Sequence, residues 1–206
     1  GPQLVKLTAE LSIIPFFGSY MTIVILNFFG PAIFSFLRIP INSDVRLSTK
    51  KSRSLNKILI SAPIRTAIIC GMISYALMNL IMTSAPLAIV GCGFSQGNAA
   101  DVVMAHVLAM SIPSFFTGHL ILRFGVRPII AVGLTLLCLA ALSGLSGTGL
   151  FNFFITLILL GLGWNFSFIG ATNLLANNHS ANERGKTQGV NDMIVFGFVA
   201  LASLSS

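Results

Sequence analysis

Long apolar segments without charges alternate along this chain with short polar segments. Three runs, 11–37, 66–100 and 128–182, contain no residue that is ionised at neutral pH. A helix needs roughly 20 apolar residues to cross about 30 Å of hydrocarbon, and the alternation over about ten residues that is typical of transmembrane β-strands is missing. The pattern predicts six membrane-spanning helices, at residues 12–37, 63–91, 102–122, 128–146, 150–176 and 188–206.

Composition supports the same class of protein. Charged residues make up 8% of the chain and hydrophobic residues 55%, whereas a soluble domain carries about 25% charged residues. The fold class expected is therefore all-α, a polytopic transmembrane helical bundle, and a water-soluble domain is excluded.

The net charge of +7 is concentrated in the predicted loops. All but one of the 12 Lys and Arg residues fall in the segments 38–65, 123–127 and 184–186. Loops rich in Lys and Arg stay in the cytoplasm, where anionic headgroups attract them. Membrane lipids are thus the expected partner of these charges, and no nucleic-acid partner is expected.

The basic loops also predict an orientation in the membrane. The loops after the first, third and fifth spans (38–62, 124–127 and 177–187) are basic, while 92–100 and 144–149 contain no Lys or Arg. This alternation fits a bacterial cytoplasmic (inner) membrane protein with the N-terminus of the chain outside. Within the first loop, residues 54–61 are expected to form a short amphipathic helix on the membrane surface.

The turn after the third span has a characteristic spacing of glycine and arginine. It resembles the signature loop Gly-x-Leu-x-Asp-Arg-x-Gly-x-Arg of the major facilitator superfamily, with matching residues at Gly118, Leu120, Arg123, Gly125 and Arg127. Leu122 replaces the usual Asp, so the charge relay of the complete motif is not implied. The alternative is an ordinary basic turn, in which Gly125 permits a tight bend and the arginines face helix carbonyls and lipid phosphates.

The resemblance implies an assignment for the whole chain, as part of a twelve-helix transporter. Residues 1–37 would be the last helix of the N-terminal half, 38–62 the basic loop between halves, and 63–206 five spans of the C-terminal half. The implied function is secondary active transport of a small organic solute by alternating access, with proton coupling as the default and the remainder of the transporter as partner. The alternative is a complete six-span substrate-binding subunit of an energy-coupled vitamin importer.

Polar and aromatic side chains inside the predicted spans are candidates for a substrate cavity, because polar groups are costly in hydrocarbon and usually face a cavity or another helix. A ligand site between helices combines aromatic walls with a few hydrogen-bonding groups. The predicted cavity residues are Tyr75, Asn79, Met82, His106, Met110, Trp164, Asn165 and Phe168. For the amides, hydrogen bonding between helices is the alternative role.

Two ionisable residues are candidates for proton coupling, His106 and Asp192. A histidine titrates near neutrality, although one structural hydrogen bond explains a buried His106 equally well. Asp192 lies in the first turn of the sixth predicted span, where an acid also complements the helix dipole.

No enzyme is predicted, because the chain lacks the sequence motifs of hydrolases, P-loop proteins and metalloproteases. The three cysteines lack metal-ligand spacing, so neither a metal nor a cofactor is expected. Gly163, Ser167 and Gly170 form a strip of small residues that is expected to admit a neighbouring helix closely.

Overall fold

A computed structural model describes residues 17–37 and 53–204, and within these ranges all regular structure is helical. The helices are α1 (Phe17–Phe36), α2 (Leu55–Ile60), α3 (Ala62–Gly91), α4 (Gln96–Ser111), α5 (Ser114–Phe124), α6 (Val126–Leu145), α7 (Leu150–Ala176) and α8 (Arg184–Leu204), with a 3₁₀ turn at Ala181–Glu183. Residues 12–16 of the first predicted span and 38–52 of the first basic loop lie outside the described residues. The predicted all-α membrane bundle is confirmed.

Helix α1 belongs to a compact unit of its own, separate from the unit that contains α2 to α8. It is apolar over its 20 residues and contains Pro31. Its polar side chains bond to their own backbone: Thr22 donates to Gly18 O (2.8 Å) and Asn27 to Ile23 O (2.8 Å). Such internal pairing removes much of the cost of placing these groups in hydrocarbon.

In the second unit, α7 is the central helix and packs against α3, α4, α5 and α6, while α8 packs mainly against α3. The described residues contain five helices that are long and apolar enough to span a membrane, and a sixth when the bent pair α4–α5 is taken as one span. The six predicted spans are therefore confirmed by length and composition.

Small residues let α6 and α7 approach closely. A Cβ added to Gly133 of α6 would lie 2.4 Å from the Ser167 backbone nitrogen, and one added to Gly163 of α7 would lie 2.9 Å from Gly133 O. A Cβ on Gly170 would lie 2.7 Å from Ile130 Cγ1. The predicted role of the small-residue strip is thus confirmed, and the helix it admits is α6.

Several helix ends differ from the sequence prediction. Helix α4 begins at Gln96 rather than near residue 102, because Ser95 and Asn98 form a capping box that starts the helix inside the segment predicted as a turn. The third span is not straight: α4 and α5 are bent by 40° around Pro113. Helix α8 begins at Arg184, several residues before the predicted start at 188.

The short helix predicted in the first basic loop is present as α2. Its Ile58 is fully buried and packs with Ile64 of α3 and Leu175 of α7. Lys57, next to Ile58, is exposed. Burial of one apolar side chain under an otherwise polar segment anchors α2 to the end of the bundle.

Candidate functional site

Four aromatic rings from three helices meet between α3, α7 and α8. Tyr75 of α3 makes edge-to-face contacts with Trp164 (5.8 Å between ring centroids), Phe168 (5.2 Å) and Phe196 of α8 (5.7 Å). Trp164 stacks on Phe168 at 5.0 Å with 13° between the ring planes. This aromatic cluster brings together three of the predicted cavity residues and adds Phe196.

Trp164 has an unused polar group in this cluster. Its indole Nε1 is buried and has no hydrogen-bond partner among the described residues. A buried indole N–H normally finds an acceptor, so this donor is available to a molecule that contacts the cluster. Because α7 and α8 each pack on α3 and touch each other little, the rings lie at the edge of a gap between two helices rather than in a closed core.

Asn79 and Met82 lie further along α3. Asn79 is one turn beyond Tyr75 and donates a hydrogen bond from Nδ2 to Ser203 Oγ of α8. This is the interhelical bond named above as its alternative role. Met82 packs against a core cluster that contains Ala85 and Leu157. In this structure both side chains therefore support helix packing on either side of the rings.

Asn165 follows Trp164 in sequence but faces the bent span α4–α5. It is fully buried, and its Nδ2 donates to Met110 O (2.6 Å) and to Ser114 Oγ (2.6 Å). Its Oδ1 accepts from Thr117 Oγ1 (2.6 Å). Met110 thus contributes its backbone carbonyl rather than its side chain, and the amide of Asn165 satisfies the polar groups that the break exposes.

His106 also faces α7 and is 1% exposed. Its Nδ1 lies 2.8 Å from Leu157 O, so Nδ1 carries the proton and donates it to that carbonyl. Nε2 has no partner among the described residues. A Cβ added to Gly161 would lie 2.7 Å from His106 O, so the two helices are in close contact here. His106 does not touch the aromatic cluster through any of its ring contacts.

A polar cavity of about 730 Å³ opens at the end of α7 and the start of α8. It is lined by Thr172, Ala176, His179, Ala181, Arg184 and Gln188. Thr172 lies one turn below Phe168 on α7. The carboxylate of Asp192 accepts from Gln188 Nε2 (3.2 Å) and from Asn191 Nδ2 (3.0 Å), and it lies one turn from Phe196. Asp192 is therefore placed between this cavity and the aromatic cluster along α8.

The predicted conformational loop is a link of one residue. Gly125 alone separates α5 from α6, with φ +88° and ψ 158°, a conformation that side chains rarely adopt. Arg123 lies over the Phe124 ring at 5.4 Å, and Arg127 is exposed. A Cβ at Gly118 would meet no atom within 4 Å, so Gly118 makes no close approach in this structure.

An ion pair at the same end of the bundle was not expected from the sequence. Arg53 donates from Nε to Glu183 Oε1 (2.8 Å), from Nη2 to Glu183 Oε2 (2.9 Å) and from its backbone N–H to Oε1 (2.9 Å). Glu183 is 2% exposed and also accepts from the Ser180 N–H in a capping box. The contact with Glu183 raises the pKa of Arg53. The pair joins the segment before α2 to the turn before α8.

Two of these features could have been found from the sequence. Phe196 lies four residues after Asp192 and so shares its helical face, and Ser180 with Glu183 has the spacing of a capping box. Nothing in the sequence identifies Arg53 as the partner of Glu183, because the two residues are 130 positions apart.

Comparison with known proteins agrees with this architecture. The chain is 44% identical to a riboflavin transporter of Brucella anthropi over 98% of its own length and 52% of that protein. It is 36% and 33% identical to two uncharacterised MFS-type transporters of Bacillus subtilis, over 57% and 58% of the chain and 28% of each of those proteins. The chain therefore spans about half the length of the riboflavin transporter. No solved structure gives a significant match.

The family model for the major facilitator superfamily matches residues 7–204. This match covers the turn at Gly125, the aromatic cluster and all the helices described. It also explains why the chain lacks enzyme motifs, since members of this family transport solutes. The chain belongs to the major facilitator superfamily of membrane transporters.

Proposed function

We propose that this chain is part of an alternating-access carrier for a flat, uncharged heteroaromatic solute, with riboflavin as the first candidate. The observation that carries the proposal is the aromatic cluster with its unpartnered Trp164 N–H. The 44% identity to a protein named as a riboflavin transporter supports the choice of solute.

The chemistry of the cluster suits such a solute. Riboflavin carries a flat tricyclic ring with carbonyl acceptors and an uncharged polyol chain. Stacking and edge-to-face contacts with aromatic rings contribute about 0.5–1.5 kcal/mol each beyond burial, and the indole N–H supplies a donor for one carbonyl. The polyol needs hydrogen-bonding groups, which the polar cavity offers at Thr172 and Gln188.

A path through the protein follows from the same placement. Trp164, Phe168 and Thr172 succeed each other at intervals of one turn along α7, from the aromatic cluster to the polar cavity. In carriers of this type, two helical halves rock about a site near the bilayer midplane. The proposal therefore includes a second half of the protein, with residues 63–206 forming most of one half. Sequencing the complete reading frame distinguishes this from a six-span importer subunit, which would end near Ser206.

Proton coupling is a further part of the proposal, and Asp192 is its candidate. Its carboxylate lies one turn from Phe196, so a change in its protonation is placed to alter the packing of α8 beside the solute. Asp192→Asn should abolish uptake driven by a proton gradient but keep exchange of external for internal riboflavin. Loss of both activities, or of neither, would argue against a coupling role; His106→Gln tests the second candidate in the same way.

Uptake of radiolabelled riboflavin tests the proposal directly. Cells that lack other flavin uptake would express the complete reading frame containing this chain. Trp164→Phe keeps a stacking ring but removes the N–H, and should raise the apparent KM about fivefold, the equivalent of one hydrogen bond of about 1 kcal/mol. Phe151→Leu changes an exposed aromatic residue at the start of the same helix and should leave uptake unchanged. Equal uptake by both variants would reject the site.

Intrinsic fluorescence provides a binding measurement, because Trp164 is the only tryptophan in the chain. Riboflavin bound at the cluster should quench this emission saturably in the purified chain, and Tyr75→Leu should weaken the effect. Quenching that rises linearly with riboflavin and is the same in Tyr75→Leu would indicate collision or absorption of the light rather than binding.

Orientation in the bacterial inner membrane is also proposed, with the basic ends of the helices in the cytoplasm. Cys92 is exposed at the end of α3 and would face outward. A membrane-impermeant maleimide should label it in intact cells, with Cys92→Ser as the control. Labelling only after the cells are opened would reverse the orientation.

A further inference from the structure

A second cavity lies away from the aromatic cluster, between α3, α6 and the first turns of α7. Its volume is about 250 Å³. The wall is mostly apolar and is formed by Ile81, Ser84, Ala85, Ala88, Ala140, Ala141, Gly144, Leu145, Gly147, Asn152, Phe153, Thr156 and Leu157. On α3 these residues lie on the side opposite Tyr75 and Asn79, as the helical repeat of 100° per residue requires. We call this cavity the α3–α6–α7 pocket.

One polar group in this pocket is buried and unused. Thr156 is 6% exposed, and its hydroxyl has no hydrogen-bond partner among the described residues. Other helical threonines in the chain donate to the carbonyl one turn earlier, as Thr83 does to Asn79 O (2.7 Å) and Thr135 to Ala131 O (2.9 Å). Thr156 departs from this habit, although the same bond to its own helix is open to a threonine.

The Thr156 hydroxyl is placed at the wall of the pocket. The position of a Cβ on Gly144 lies 3.7 Å from Thr156 Oγ1 and 3.5 Å from Cγ2, so the glycine leaves the hydroxyl uncovered on that side. A buried hydroxyl without a partner costs about 1–3 kcal/mol. Its orientation therefore indicates an acceptor that enters the pocket.

Water is a poor occupant for most of this space. A buried water needs two to four polar partners, whereas the deep wall is formed by Ile81, Ala140 and Leu157. The polar groups lie toward the end that carries the α6–α7 connection: Asn152 bonds Ser146 Oγ there (2.9 Å), and Thr156 lies about 6 Å deeper along the helix. Polarity thus decreases with depth, as it does along a membrane amphiphile.

We infer that the α3–α6–α7 pocket binds the upper part of a phospholipid acyl chain, whose ester carbonyl accepts the hydrogen bond of Thr156. The headgroup would lie beside Asn152 and the α6–α7 connection, and the chain would run along Ile81 and Leu157. This lipid would act as a wedge between three helices of the bundle, at a site separate from the one proposed for the solute.

The test uses the purified chain in vesicles of phosphatidylethanolamine and phosphatidylglycerol. A small fraction of the phosphatidylethanolamine carries a diazirine on its acyl chain, close to the ester. After irradiation and digestion, mass spectrometry should find adducts concentrated on the segments 81–88 and 152–157. Adducts spread evenly over the lipid-facing helices would overturn the assignment.

Two variants with matched controls sharpen the test. Ala141→Phe fills the pocket and should remove the adducts, while Ala131→Phe changes an exposed alanine on the same helix and should not. Thr156→Val keeps the shape of the side chain and should lower labelling about fivefold, the loss of one hydrogen bond of about 1 kcal/mol; Thr135→Val should have no effect. Unchanged labelling in Thr156→Val would overturn the proposed hydrogen bond.

A stability measurement and a competitor identify other occupants. With the lipid bound, Thr156→Val should lower the melting temperature in vesicles but not in lipid-free detergent. A rise in both media would mean that the hydroxyl is simply unpaired, and the inference would fail. Displacement of the adducts by micromolar riboflavin would instead identify the pocket as a solute site and reject the lipid.

Discussion

The two sides of α7 are built in different ways. Toward α6 and α4 the helix presents Gly161, Gly163 and Ser167, and the neighbouring backbones approach to the limit that a glycine allows. Polar groups on this side, such as Asn165, have all their partners within the bundle. Toward α3 and α8 it presents Trp164 and Phe168, and there the indole N–H has no partner among the described residues. One side fixes the helix in the bundle, and the other leaves bonding capacity for a solute.

The strongest way to break this comparison is to add one methyl group to the fixed side. In Gly133→Ala the new Cβ would meet the Ser167 backbone nitrogen, which cannot move without moving α7. We expect the free energy of unfolding to fall by about 3 kcal/mol, measured by titration with SDS and circular dichroism. Gly197→Ala is the control, since a Cβ there meets nothing within 4 Å. Equal stability of the two variants would show that the close contact is not required.

A smaller loss is expected from Asn165→Ala. The variant leaves Met110 O, Ser114 and Thr117 without the amide that joins them, in a region without water, and should lower the free energy of unfolding by about 2 kcal/mol. Asn27→Ala in α1 is the control, because that amide bonds only its own helix. Equal losses in the two variants would mean that the amide is not a special link to the break.

Trp164→Phe probes the other side of the helix at the adjacent position. Because ring stacking on Phe168 is kept, the free energy of unfolding should change by less than about 1 kcal/mol, while riboflavin binding weakens. A variant that lost stability as strongly as Asn165→Ala would make Trp164 a packing residue, and the contrast between the two sides would disappear.

The smallest effect is expected from the ion pair at the end of the bundle. Arg53→Lys loses the paired geometry of the guanidinium, so amide hydrogen exchange of the turn 180–183 should become faster while global stability is kept. Arg184→Lys replaces an exposed arginine beside it and serves as the control. Exchange that is equally slow in both would show that Lys holds Glu183 as well as Arg does.

The number and approximate limits of the helices could be predicted because each depends on local sequence. Runs without charges mark the spans, and the conformation of Gly125 follows from the tight turn that the motif implies. The break at Pro113 was missed because the segment around it is as apolar as an unbroken span. Only the partner that satisfies its polar groups, Asn165, makes the break stable, and this partner lies on another helix.

The candidate site could be predicted only in part for the same reason. Helical periodicity places Tyr75 with Asn79, and Trp164 with Phe168, but it does not say which neighbour each face meets. Trp164 and Asn165 are adjacent in sequence, about 100° apart around the helix, and their side chains therefore face different helices. A search for polar residues grouped them, whereas packing separates them.

The bent span also has a consequence for how the protein is made. Met110 and Thr117 leave the ribosome before Asn165, which follows them by 55 and 48 residues. Until α7 arrives, the break would present polar backbone to lipid at a cost of several kcal/mol per group. The third span is therefore expected to wait beside the insertion machinery, and to enter the bilayer together with α6 and α7 rather than ahead of them. Asn165 thus acts as a late fastener, and its position in the chain sets the order in which the helices assemble.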